Sequence, residues 1–342
     1  MSADQTQAPT GQLTVTVVVI TYRRPDYVET CLTHLRSLTT PVEQVVVVDS
    51  APAGDTASEQ LVAERFPEVE YVRSGLPKGT MPEARQLGFA RATGDVVAFI
   101  DDDSFVYPQW RDELVKPYAD PAVAAVGGRA INGTPGEEVH GVDRIGRLLP
   151  DGELTGNFAA DPGRSIPVDH LLGANMSFRR AALAEIGGIR GNYPGTCLRE
   201  ESDISLRLRA RGHRLVYAPA ALVHHVGAPY RIGGQRFDRR YIYYARRNHV
   251  MLLARVYGLG SPLLRRYTAS TLRAQRAYVG EIARIVAARA DAAGRTPSLR
   301  RRVTAPLTVA SRVAAELAGF LMGWPAAIRA RAIDRRRGVA TP

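Results

Sequence analysis

Residues 95–103 read DVVAFIDDD: an unbroken apolar run, Val96 to Ile100, ends in three consecutive aspartates, Asp101, Asp102 and Asp103. A short continuous apolar run is the pattern of a strand buried on both faces. Three carboxylates side by side at its carboxyl end repel one another, and something must offset that cost. A hard divalent cation, Mg2+ or Mn2+, does so, because it binds one or two carboxylates together with substrate phosphates. The other reading the residues leave open is an acidic loop or helix cap ahead of Pro108.

The flanking sequence repeats the theme. Upstream lie VTVVVI (15–20), QVVVVDS (44–50) and VEYVRS (69–74), each followed by a helical pattern, over 27–38, 56–66 and 81–92, the last with Pro82 in its first turn. Downstream come a helical pattern over 108–118 and a fifth strand, AVAAVGG, over 122–128. Buried strands alternating with helices predict an α/β fold with a mostly parallel sheet covered on both faces. Ligands of such sheets bind beyond the carboxyl ends of the strands, where Asp49 and Asp101–Asp103 fall. Residues 129–170 are rich in Gly, Pro and Asp and read as loops and short strands. A short helix over 179–186 follows a turn at GANMSF (173–178), a strong helix spans 200–211, and RLVYAP (214–219) returns to strand. From Tyr241 onward the pattern is helical and rich in arginine.

With 342 residues, 45% hydrophobic and 23% charged, the chain is neither collagen-like, disordered nor a disulfide scaffold. Its two cysteines, Cys31 and Cys197, lack metal-site spacing and predict packing roles in a reducing compartment. Charge divides the chain in two. Residues 1–227 carry 22 Lys and Arg against 29 Asp and Glu, net −7; residues 228–342 carry 23 Arg against 5 acids, net +18. The expected organisation is therefore a body over 13–227 and an Arg-rich helical region over 228–342. Such asymmetry points to a polyanionic partner, an anionic membrane surface or nucleic acid; no nucleic-acid motif is present, so nucleic acid is not expected. The polar residues 1–12 lack a basic start and predict no signal peptide. The apolar stretch 305–328 is interrupted by Arg312, Glu316 and Pro325, which predicts an interfacial or packed helix rather than a spanning one. The expected location is cytoplasmic, peripheral on the inner face of the membrane.

Two further clusters carry chemistry. Asp49, Ser50 and Asp55 sit where the second strand ends, suited to ribose or base contacts or to capping the next helix. Arg199-Glu200-Glu201-Ser202-Asp203 opens a helix; acids there complement the helix dipole, and Asp203 with Arg207 has ion-pair spacing. The chemical alternative is a general base. A dinucleotide-binding oxidoreductase would place G-x-G-x-x-G after the first strand; Thr21 to Asp26 contains no glycine. A non-catalytic protein gripping a polyanion through its basic tail remains the alternative to an enzyme.

Taken together, VVVITYRRP (17–25), VVVVDSAPAGDT (45–56), GTMPEARQLGFARATGDVVAFIDDDS (79–104), GANMSFRRAALAEIGGI (173–189) and REESDISLRLRARGHRLVYAPAALVHH (199–225) resemble a family 2 glycosyltransferase of the GT-A fold, over about residues 13–227. The resemblance implies an inverting transferase that moves a sugar from a nucleotide-diphosphate sugar to an acceptor hydroxyl with Mg2+ or Mn2+. Asp101-Asp102-Asp103 match the family's DxD element, which makes Asp103 the metal ligand and places Asp101 and Asp102 on the donor side. Thr21, Arg23 and Asp49 match nucleotide-contacting positions. Arg85 falls in the segment facing the donor, with Lys78 before it. Glu201 aligns with the catalytic base of the family's "ED" pair, although Glu200 and Asp203 compete for the role. His225 aligns with a further metal ligand, with His224 beside it. Gly173, Ala174 and Asn175 match a loop at the acceptor site, and Asp203 falls on the acceptor side as well. YIYYARRN (241–248) resembles a segment that follows the catalytic domain in rhamnosyltransferase-like members, where an arginine pair beside tyrosines suits a phosphorylated or lipid-linked acceptor.

Overall fold

The computed structural model describes residues 13–195, 197–227, 238–287, 296 and 298–338. The first 190 residues build β1 (Val15–Thr21), α1 (Pro25–Arg36), β2 (Gln44–Asp49), α2 (Ala57–Arg65), β3 (Glu70–Arg73), α3 (Met81–Arg91), β4 (Val96–Asp101), β5 (Ser104–Val106), α4 (Trp110–Val115), β6 (Val123–Ile131), β7 (Ile166–Pro167), β8 (Asn175–Arg179) and α5 (Arg180–Glu185). Next come α6 (Glu200–Ala210) and β9 (Arg214–His225), then the helices α7 (Arg239–Tyr257), α8 (Pro262–Val286) and α9 (Leu299–Arg336). The first ten residues of the basic region, 228–237, lie outside the described residues.

The strands form one sheet in the order β3–β2–β1–β4–β8–β6–β9–β5, with β7 also on β9. From β3 to β4 it is parallel, as the alternating pattern predicts. Side-chain alternation along each strand divides the core. Val15, Val17 and Val19 of β1 point to a layer closed by α1, α2 and α4, while Val18 and Ile20 point to one closed by α3, α5 and α6. Registers pairing Thr21 with Asp49 and Ile20 with Asp101 bring the carboxyl ends of β1, β2 and β4 level.

Beyond β4 the sheet departs from the parallel pattern. GANMSF is not a turn throughout: Asn175–Arg179 is β8, inserted antiparallel between β4 and β6. Asn175 and Ser177 hide the strand in the sequence, yet both are fully buried because their polar atoms are bonded; the Ser177 hydroxyl donates to the Val126 carbonyl at 2.8 Å. The acidic run also breaks up. β4 ends at Asp101, the chain turns through Asp102 and Asp103, and β5 leaves to pair antiparallel with the end of β9. That pairing extends β9 past Pro219 to His225, beyond the six residues its apolar pattern marks. The β6 register slips between Gly128 and Ala130, opposite the Pro219 stretch, which is how a strand accommodates a proline.

The basic helices are not a loose appendage. Val250–Ala254 of α7, Leu264 and Tyr267 of α8, and Phe320, Ala327 and Ala330 of α9 share a core with Tyr193 and Leu206 of the body. α9 lies hard against α7. A Cβ at Gly319 would stand 2.2 Å from the Tyr243 carbonyl oxygen and one at Gly323 2.6 Å from Val250 Cβ, so small residues four apart permit the approach. Arg255 of α7 grips Asp334 of α9 with bonds of 2.9 and 2.7 Å, and Asn248 donates to the Pro194 and Leu198 carbonyls of the body.

Candidate active site

The level ends of β1 and β4 bring the acidic triplet under Thr21 and the turn after it. Thr21 Oγ1 donates to Asp102 at 2.8 Å, and Arg24 Nη1 lies 3.0 Å from Asp102 and 3.8 Å from Asp103. Asp102 is buried, and burial pushes its carboxyl up to about 7; Asp103 adds to the rise, and Arg24 and Thr21 oppose it. Asp103 turns the other way, with Oδ1 3.4 Å from His225 Nε2. Ligand atoms of Asp101, Asp103 and His225 all lie within 4.8 Å of one another. Register decides between the two histidines: His225 stands opposite Ser104, next to Asp103, whereas His224 stands opposite Phe105 and faces the other side of the strand.

Arg85 ties this corner to α6. Its guanidinium is 2% exposed, donates to Asp101 at 2.8 Å and to the Gly173 carbonyl at 3.1 Å, and pairs with Glu200. It thus acts as a strut between the end of β4, the loop before β8 and α6. Arg24 and Arg85 reach into this group of four carboxyls, Asp101, Asp102, Asp103 and Glu200. Two carboxylates and an imidazole fit a divalent cation by donor type.

The three acids of α6 have different surroundings. Glu200 is buried on Arg85. Asp203 is 1% exposed and receives Arg207 Nε at 2.6 Å and the Tyr193 hydroxyl at 2.8 Å. Burial alone would raise its carboxyl; Arg207, Arg255 and Arg190 with the Tyr193 bond hold it below the ordinary aspartate value. Its two oxygens are thus engaged by α6 itself and by the loop before it. Glu201 is half-buried, with a 3.5 Å bond from the Ser202 hydroxyl and no carboxylate–cation pair within 4 Å among the described residues. Burial raises its carboxyl against the pull of Arg199 and Arg85.

Other expected residues fall elsewhere. Asn175 is fully buried: it accepts from Trp110 Nε1 at 2.9 Å and donates to the Arg129 and Ala221 carbonyls, so it stitches β8 to its neighbours. Asp49 is fully buried as well, accepting from the Ala51 N–H at 2.7 Å and the Tyr71 hydroxyl at 2.8 Å; in this arrangement it shapes the loop after β2. Arg23, with a left-handed φ of 57°, turns outward to Asp55 at 2.8 Å. Lys78 is exposed between β3 and α3, its ammonium lowered by partial desolvation and by Arg240 of α7. The sequence reading missed Arg24. The doublet Arg23-Arg24 was the available signal, and only the backbone turn shows which arginine faces the acids.

Residues 16–187 match the family model described as Glycosyl transferase family 2. The chain is 30% identical over 211 residues to the pre-mycofactocin glycosyltransferase of Mycobacterium tuberculosis, an alignment covering 62% of this chain and 42% of that protein, so it spans less than half of that relative. It is 29% identical over 231 residues to the glucosyl-dolichyl phosphate glucuronosyltransferase of Haloferax volcanii, covering 64% and 70% of the two chains. Its fold is similar to that of the mannosyltransferase PcManGT from Pyrobaculum calidifontis, solved in complex with GDP-Man and Mn2+, with a TM-score of 0.58 at 20% identity over 97% of this chain and 89% of that one. The architecture is thus the expected GT-A fold followed by helices, and with half of its residues matched by the family model the chain belongs to glycosyl transferase family 2.

Proposed function

We propose that this protein transfers a sugar from a nucleotide-diphosphate sugar to an acceptor hydroxyl with inversion, a domain over 13–227 doing the chemistry and the region over 228–342 serving the acceptor. The observation that carries the reading is the meeting of Asp101, Asp103 and His225 within 4.8 Å, joined through Arg85 to Glu200, the neighbour of Glu201, which has no ion pair among the described residues. Asp101, Asp103 and His225 would hold the metal, and the imidazole favours Mn2+ over Mg2+. A bound divalent cation would neutralise charge on the departing diphosphate. Thr21 and Arg24 fix Asp102, and Arg85 fixes Asp101 and Glu200, so the carboxylates keep their positions. Glu201 takes the proton of the acceptor hydroxyl as its oxygen forms the new bond to the anomeric carbon; the bond to the diphosphate oxygen breaks on the opposite side, and the electron pair leaves with the nucleoside diphosphate. The GDP-Man and Mn2+ held by the similarly folded mannosyltransferase support the donor class.

The reading includes attachment to the inner face of the cytoplasmic membrane, where a lipid-linked acceptor would be presented. α8 exposes Leu272, Val279 and Val286 at seven-residue spacing, and α9 exposes Leu299, Val303 and Leu307 at four-residue spacing, so each helix carries one apolar stripe. Exposed Arg265, Arg266, Arg273 and Arg276 accompany them. An apolar face amid arginines suits an anionic lipid surface, each basic residue near it contributing about 1 kcal/mol. By length and composition Val303–Arg336 is also apolar enough to cross a membrane, but its packing on α7 supports the interfacial reading. A panel of nucleotide sugars assayed for nucleoside-diphosphate release with Mn2+ and with EDTA tests the activity. Metal-dependent release with one donor class is expected; no release with any donor would refute it.

A further inference from the structure

A cavity of about 440 Å³ opens where the basic helices meet the body, lined by α7, α8, α9 and the turn that carries Arg199. Its cationic groups are not equivalent. Arg246 is held by Glu153 at 2.7 Å and by the Tyr267 hydroxyl at 3.0 Å. Arg312 is held by Glu316 at 3.0 Å. Arg199 makes no side-chain hydrogen bond or ion pair among the described residues, and its Nε is buried without a partner.

Arg199 is also badly placed by every local rule. It adopts φ 83°, a left-handed backbone that residues with a Cβ avoid. It is the N-cap of the eleven-residue α6, where Ser, Thr, Asp or Asn would bond the free N–H groups and where the helix dipole repels a cation. A strained guanidinium with no hydrogen bond or ion pair among the described residues, at the wall of an open cavity, is suited to an anionic ligand, and such outliers gather at functional sites. Its position defines the direction. Arg199 lines the cavity and stands two residues before Glu201; between them Glu200 leads through Arg85 to Asp101. The same guanidinium is felt electrostatically on both sides, by Glu201 and by His249 and Tyr267 of the cavity wall.

We propose that this cavity is the acceptor subsite and that Arg199 there binds an oxyanion, phosphate or carboxylate, carried by the acceptor near the hydroxyl that Glu201 deprotonates. The subsite's role rests on the transferase reading above; the oxyanion site itself does not. Tyr241, Ile242 and Ala245 of α7 give the cavity a less polar wall beside Arg199, suited to the carbon skeleton next to the anionic group.

The test is chemical modification of the full chain by phenylglyoxal, read arginine by arginine by peptide mass spectrometry, with a nucleoside diphosphate and Mn2+ saturating the donor site. Millimolar inorganic phosphate in one arm and glucuronate in the other are the probes. Arg199 should be protected several-fold by at least one probe while the exposed Arg211 is unaffected, and the protecting probe identifies the source, phosphate group or carboxylate. Equal rates at Arg199 with and without both probes overturn the proposal. In parallel, Arg199→Gln should melt no lower than the parent in the absence of ligand, since it removes an unpaired cation; a clear drop would make Arg199 structural and also overturn it. Failure of the nucleoside diphosphate to bind with Mn2+ would count against the transferase reading alone, because protection at Arg199 is measured independently.

Discussion

Two acidic segments, Asp101–Asp103 and Glu200–Asp203, look alike in the sequence, and the fold treats them oppositely. The first converges. Ligand atoms of Asp101, Asp103 and His225 meet within 4.8 Å, and Arg24 and Arg85 hold the neighbouring carboxyls. The second disperses. Glu200 pairs with Arg85 and Asp203 with Arg207, and only Glu201 keeps a carboxylate without an ion pair among the described residues. Charge density alone therefore says little about chemistry. What separates the proposed metal corner from the proposed base is the set of partners that the neighbouring elements bring to each.

Substitutions should separate the two segments, the largest effect coming from the first. Asp103→Asn removes one of the proposed metal ligands and its negative charge. It should cost several kcal/mol of transition-state stabilisation, roughly three powers of ten in turnover, without a lower melting temperature; full turnover in EDTA would break the comparison at its metal end. Glu201→Gln should lose about two to four powers of ten in turnover, the range of general-base catalysis, and keep the fold. Should Glu200→Gln or Asp203→Asn prove the dead variant while Glu201→Gln turns over normally, the base assignment moves. Asp203→Asn should instead act on stability, because it leaves Arg207 buried without its carboxylate; breaking a buried pair costs about 3–5 kcal/mol, read as a lower denaturation midpoint with turnover per folded molecule retained.

The two carboxyls are shifted in opposite directions, so their losses at low pH fall in different ranges. Asp203 is held below the ordinary 3.8, so its contribution to stability is full above that value and is lost only as pH falls through the lower folded value. Glu201 is raised above the ordinary 4.5, so the acid limb of turnover should lie above that value, at a pH where the Asp203 contribution is intact. An acid limb of turnover coinciding with acid unfolding would remove the distinction.

How far the sequence carried can be judged on particular residues. β1, β2 and β4 were legible because valine-rich apolar runs admit few alternatives, and the acids at the ends of β2 and β4 follow from the topology. β8 was not, since Asn175 and Ser177 are polar residues whose burial depends on partners from β6, β9 and α4 that no local pattern reveals. The same limit applies at the site. Asp103 and His225, 122 positions apart, meet through the β5–β9 pairing, and the short β5 lies hidden just after the triplet. Asn175 and Asp203 carry the right residue types in the right segments, yet both spend their polar atoms on the interior. Arg24 was passed over for Arg23 because a left-handed turn decides which of the two faces inward.

The central claim is a division of labour: Asp101, Asp103 and His225 serve metal and donor, and Glu201 serves only the proton. Titration calorimetry of nucleoside diphosphates, with and without Mn2+, into the parent protein, Asp103→Asn and Glu201→Gln tests it most directly. The account predicts Mn2+-dependent binding to the parent, the same affinity for Glu201→Gln, and loss of the Mn2+ dependence for Asp103→Asn. Metal-independent binding to the parent, or a loss in Glu201→Gln equal to that in Asp103→Asn, would contradict it.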